Sequence, residues 1–130
     1  MTAKGFHITN QTKGKPPRLP FLEIKEYCLG KDFSVSLVFV GEKKARTLNH
    51  RYRGKDYVPD VLSFPLGNKE GEIFICLQAT AREAKKFNTV PNKFIQYLFI
   101  HGLFHLKGLD HGSTMEKKEK RAKDRFNLAF

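Results

Sequence analysis

Hydrophobic residues alternate with polar ones in some stretches of this chain and recur at helical spacing in others. The clearest strand is Phe33-Ser34-Val35-Ser36-Leu37-Val38-Phe39-Val40, which begins with alternation and ends as a continuous β-rich apolar run. A strand apolar toward both faces belongs in the middle of a sheet. Gly5-Phe6-His7-Ile8-Thr9-Asn10 alternates more briefly and predicts a first strand. Val61-Leu62-Ser63-Phe64-Pro65 predicts a short strand, with Pro65 ending it or marking a sheet edge. Gly67 to Gly71 reads as a turn into Glu72-Ile73-Phe74-Ile75-Cys76-Leu77, so these two strands can form a hairpin.

Helical spacing appears from Leu19 to Leu29, closed by Gly30, and again from Glu42 to Tyr52, with Ala45, Leu48 and Asn49 inward. Between the first strand and the first helix, Lys13 to Pro20 has the prolines and cations of a loop. Ala79 to Phe87 predicts a helix with a basic outer side (Arg82, Lys85, Lys86). Lys93 to Lys107 is apolar on nearly every side, and such a helix is expected to be buried, with Asn92 as its cap. Ser113 or Thr114 is expected to cap a last, highly charged helix. The order of elements predicts an α+β fold, residues 1–130 as a single domain, with a small mixed sheet and about five helices.

Composition narrows the class. At 130 residues, with 40% hydrophobic residues, the chain can bury a core. Twelve Phe and no Trp imply a core of Phe and aliphatic side chains. No apolar run is long enough to span a bilayer, and the N-terminus lacks an apolar signal core, so no membrane partner is expected. Cys28 and Cys76 have no motif between them and read as buried, reduced thiols, with a disulfide as the alternative. The formal charge is +11, which attracts polyanions, of which nucleic acid is the commonest inside cells.

Candidate chemistry is concentrated in His101-Gly102-Leu103-Phe104-His105-Leu106-Lys107-Gly108-Leu109-Asp110-His111. His101 and His105 are four apart and project from one helix face. Gly108 can turn the chain out of the helix and swing His111 back toward them. Three imidazoles make an open tetrahedral site, most naturally for Zn2+, with one position left for water. The spacing resembles the metzincin pattern H-E-x-x-H-x-x-G-x-x-H, but Gly102 stands where those peptidases carry their general-base Glu. Peptidase chemistry is thereby disfavoured, and metal-assisted hydrolysis is not. Gly102 costs a helix about 1 kcal/mol relative to Ala, which implies close packing or room for a substrate. Asp110 is a candidate to orient an imidazole or relay a proton, beside the plainer reading of a turn residue. Met115 reads either as a residue beneath the metal or as core. His7, His50 and Ser63 read as structural or surface residues.

Three further segments are Asn49-His50-Arg51-Tyr52-Arg53-Gly54-Lys55-Asp56, Asp60-Val61-Leu62-Ser63-Phe64-Pro65 and Met115-Glu116-x-x-Glu119. With the histidine motif and the Gly71-Glu72-Ile73 strand, they make the chain from Val35 onward resemble the YbeY endoribonuclease family of rRNA maturation factors. That resemblance implies a cytoplasmic, single-strand-specific endoribonuclease using zinc or a similar divalent metal. It further implies a role in maturation of the small-subunit rRNA 3′ end and in ribosome quality control, with RNA, ribosomal proteins or assembly factors as partners. By position it implies His101, His105 and His111 as metal ligands and Arg53 as the functional arginine. One departure is Pro59, where the family often has Thr. From residue chemistry alone, Arg53 can hold a phosphate through its planar fork, or be an ordinary arginine at a helix end. Lys55 and Asp56 read as a substrate-facing pair or as a loop ion pair. The attacking group can be a metal-activated water or the RNA's own 2′-hydroxyl. A non-catalytic RNA-binding assembly factor with a structural metal is the competing class.

Overall fold

The alternating stretches become the strands of one mixed sheet. A computed structural model describes residues 2–3 and 5–130. Its elements run β1 (Thr2–Ala3), β2 (Phe6–Asn10), α1 (Phe21–Leu29), β3 (Ser34–Val40), α2 (Glu42–Arg53), β4 (Val61–Gly67), β5 (Glu70–Cys76), α3 (Leu77–Lys86), α4 (Pro91–Leu106) and α5 (Ser113–Arg125). The sheet order is β1-β2-β3-β5-β4. β3 lies at its centre, parallel to both β2 and β5, while β4 returns antiparallel to β5 as the outer strand. β1 pairs antiparallel with β2.

The two faces of β3 explain its apolar run. Val35, Leu37 and Phe39 enter the main core, and Val38 and Val40 enter a second cluster with Ala45 of α2 and Ala79 of α3. Phenylalanines knit the main core together. Phe21 of α1 meets Phe99 of α4 edge to face at 5.3 Å and leans on Phe39 of β3 at 5.8 Å. Such edge-to-face pairs add about 0.5–1.5 kcal/mol to the gain from burial. Cys28 and Cys76 are buried free thiols, and burial pushes the Cys28 thiol up to about 12. Among the described residues no helix is long and apolar enough to cross a membrane.

The greasy helix is α4, about 24 Å long by helical rise. It packs against β4, β5, α1, α3 and α5. Gly102 lets it lie close to the sheet, because a Cβ there would sit 3.1 Å from Cδ1 of the fully buried Ile73. This glycine therefore serves close packing against the sheet.

Boundaries differ from expectation where local chemistry was misread. Asn92 does not cap α4, because Pro91 already occupies the first turn and Val90 takes the cap position without a side-chain hydrogen bond. Neither Ser113 nor Thr114 caps α5; the chain enters the helix through Gly112. The hairpin is longer than its glycines suggested, since pairing continues through Pro65↔Gly71 to Gly67↔Glu70 with an irregularity between Pro65 and Gly67. Pro65 is accommodated because β4 is an edge strand, where a missing N–H breaks no ladder.

Candidate metal centre

The end of α4 builds the site. Gly108 adopts φ +94°, and the chain closes the helix with Gly108 N–H donating to the His105 carbonyl and Leu109 N–H to that of Phe104. This is the paired closure of a Schellman turn, which a left-handed glycine permits. The turn has a second effect. It presents the Leu109 carbonyl to His105, whose Nδ1–H donates to it at 3.0 Å. His101 is held in a parallel way from another helix: its Nδ1–H donates to Oε2 of Glu119 on α5 at 2.6 Å.

Both remaining nitrogens therefore turn inward. Nε2 of His101 and Nε2 of His105 lie 3.0 Å apart, and the ring of His111 comes within 5.0 Å of each of the other rings. One donor atom from each imidazole fits within a 4.8 Å cluster, close enough to hold a metal ion. Three imidazole nitrogens are a donor set that would suit zinc or a similar divalent ion. With each Nδ1 donating, neutral imidazoles would face lone pair to lone pair, an arrangement that a shared cation relieves. Burial, and then the neighbouring His101, holds the His105 imidazole below its ordinary pKa and so keeps it in the ligating form.

The imidazoles open into a cleft of about 400 Å³, walled also by Arg53, Asp60, Val61, Leu62, Ser63 and Gly102. Arg53 arrives at the last position of α2. Its Nη1 donates to Oδ1 of the fully buried Asn49 at 3.3 Å, and Asn49 Nδ2 donates in turn to the Tyr57 carbonyl at 3.1 Å. Asn49 thus ties the arginine to the loop that enters β4. Asp60 lies on that loop, and its burial pushes its carboxyl above the ordinary carboxylate value despite an opposing backbone N–H from Val61. Ser63 Oγ donates to the Gly102 carbonyl at 2.8 Å, pinning the edge strand to α4.

The residues singled out from sequence are thus distributed as follows. His101, His105, His111 and Arg53 share the cleft. Lys55 is exposed and outside its walls, and Asp56 pairs instead with Arg46 at 2.9 Å. Asp110 is exposed, and the two imidazole-orienting acceptors are Glu119 and the Leu109 carbonyl. Met115 is buried in the core. Asn49, Asp60 and Glu119 are the contributors that sequence reasoning left without a role. The only signal for them was their membership of the quoted motifs.

Comparison with known proteins gives the family. Residues 19–129 match the family model described as endoribonuclease YbeY. The endoribonuclease YbeY of Alkaliphilus oremlandii is 38% identical, over 75% of this chain and 74% of that protein. That of Finegoldia magna is 42% identical, over 70% of this chain and 67% of that protein. The solution structure of TM1509 from Thermotoga maritima superposes with a TM-score of 0.66 at 29% identity, covering 93% of this chain and 88% of that one. The chain belongs to the endoribonuclease YbeY family.

Proposed function

We propose that this protein is a metal-dependent, single-strand-specific endoribonuclease of the cytoplasm that matures ribosomal RNA. His101, His105 and His111 would hold one zinc or similar divalent ion. The observation that carries the reading is the placement of three converging imidazoles and Arg53 in one cleft. Family membership supports RNA as the substrate, and the +11 charge is suited to a polyanion. Action at the small-subunit 3′ end, and in ribosome quality control, is carried by the family resemblance alone.

A divalent ion at this position supplies Lewis acidity, making water a stronger acid and neutralising charge on a phosphate oxygen. The remaining work belongs to side chains. Arg53, anchored through Asn49, grips the phosphate with a preoriented fork and offsets the charge that develops in the transition state. Asp60, in the wall of the same cleft and with its carboxyl raised by burial, takes the proton of the attacking group, water or the RNA's 2′-hydroxyl, and returns it to the ribose oxygen that departs as the P–O bond breaks. Glu119 and the Leu109 carbonyl fix two imidazole planes.

The competing readings have less support. In a peptidase the general-base carboxylate would occupy position 102, whose side-chain direction is blocked by Ile73. A purely structural metal is normally enclosed by four protein ligands, whereas this cluster has three among the described residues and opens into a cleft. The reading is tested by offering the metal-loaded protein single-stranded RNA, duplex RNA and a peptide panel. Cleavage of the first alone is expected; cleavage of peptides, or of no substrate, would move the assignment to the peptidase or to the scaffold.

A further inference from the structure

The cleft does not end at the imidazoles. Arg53, Asp60 and Val61 also wall a second hollow of about 260 Å³, completed chiefly by Tyr57, Arg82 and Glu83. The two spaces share these three residues as walls and so lie side by side, the second reaching Arg82 and Glu83 of α3. A polynucleotide seated at the imidazoles has covalently attached neighbours, and the adjoining hollow is a place for one of them.

The walls of the hollow suit a nucleotide. It has two guanidiniums, from Arg53 and Arg82, and the half-exposed ring of Tyr57. Arg82 is occupied by Glu42 at 2.8 Å, yet Arg82 is exposed and Glu42 only partly buried. An exposed pair of this kind is worth little and exchanges readily for another anion. Glu83 also lines the hollow and pairs with Lys86 at 2.8 Å, a partly exposed contact like that of Arg82. Guanidinium forks recognise phosphate, and an aromatic face accepts any unpaired base.

We propose that this hollow is the subsite for the nucleotide next to the cleaved bond, with Arg82 taking its phosphate and Tyr57 stacking on its base. The inference rests on the reading of the cleft as an RNA-cutting site. It assigns single-strand preference to the subsite rather than to the metal centre, because a base held in a duplex cannot present its face to Tyr57.

The test is binding of a labelled single-stranded 2′-O-methyl oligoribonucleotide, followed by fluorescence anisotropy across a salt series. Tyr57→Ala is expected to weaken binding about 5- to 150-fold, the range for loss of one stacked base. Arg82→Ala is expected to weaken it and to lower the slope of log affinity against log salt by about 0.7, the signature of one lost phosphate contact on a single strand. Glu42→Gln breaks the same ion pair but frees Arg82, so it should bind at least as tightly as wild type. Weakening by Glu42→Gln equal to that of Arg82→Ala would reduce Arg82 to a structural role and overturn the proposal. Wild-type affinity in both Tyr57→Ala and Arg82→Ala would overturn it as well, whether or not the protein cuts RNA. Binding that depends on both residues, in a protein that cleaves no RNA, would sustain the hollow as a nucleotide-binding site and remove the ribonuclease reading alone.

Discussion

Replacing Glu119 by Gln tests whether α5 helps to build the metal centre or merely covers it. The Nδ1–Oε2 distance of 2.6 Å is short, and the two side chains are only 18% and 11% exposed. A hydrogen bond to a charged group contributes about 1.5–3 kcal/mol net, more when water is excluded. Gln keeps an acceptor but removes the charge that raises the basicity of the opposite nitrogen. Loss of such a partner typically weakens metal binding about 10- to 100-fold, or about 1.4–2.8 kcal/mol at tenfold per 1.4 kcal/mol. Glu119→Gln should fall at the lower end and Glu119→Ala at the upper. Glu116, exposed one turn earlier on α5, provides the control, and Glu116→Gln should bind metal as wild type does. Competition with a chromophoric chelator gives the affinities, and circular dichroism checks that the helices persist. An affinity for folded Glu119→Ala within about twofold of wild type, well under 1 kcal/mol, would refute the reasoning.

Much of this architecture is readable in residue patterns. The central place of β3 follows from its change from alternation to a continuous apolar run, and the burial of α4 follows from apolar residues on all sides. The histidine spacing and Gly108 together predict convergence, because helix geometry and a left-handed turn are local properties. What lies beyond local chemistry is less accessible. Glu119 reaches His101 from eighteen positions away through the packing of α5 on α4. Asp110, adjacent in sequence to His111, looks the better candidate on paper, yet it is exposed. Asn49 reads as an inner-face helix residue, and its role in holding Arg53 requires knowledge of where the Tyr57 carbonyl lies. Asp60 acquires its raised pKa only when the loop folds over it. The order of parallel strands is likewise absent from the pattern, since alternation reports burial and not neighbours.

Other substitutions separate the remaining roles. Arg53→Glu should leave metal content unchanged while slowing RNA cleavage by about tenfold or more, as expected for reversing a transition-state charge contact; unchanged cleavage would take Arg53 out of the site. Asp60→Asn should abolish the acidic limb of the rate profile and also stabilise the fold. Because the folded pKa is raised, the unfolded state loses its proton first, so wild-type stability falls as pH rises from 3.8 through the higher folded value. The variant escapes that loss, worth about 1.4 kcal/mol per unit of difference; urea titrations in acid and at neutral pH should show equal stability below the window and a more stable variant above it. Gly102→Ala should destabilise by about 1 kcal/mol, since the clash with Ile73, costed as overpacking at about 1–3 kcal/mol, outweighs a helix gain of about 1 kcal/mol; a rise in melting temperature would contradict the packing argument.

The most direct measurement is cleavage of a single-stranded RNA, with and without a chelator, by wild-type protein and His101→Ala purified side by side. Activity present in the wild type, lost on chelation and absent from the variant would place the chemistry at His101, His105 and His111. Equal activity in all samples would mark a contaminating ribonuclease and contradict the assignment of RNA cleavage to this cleft.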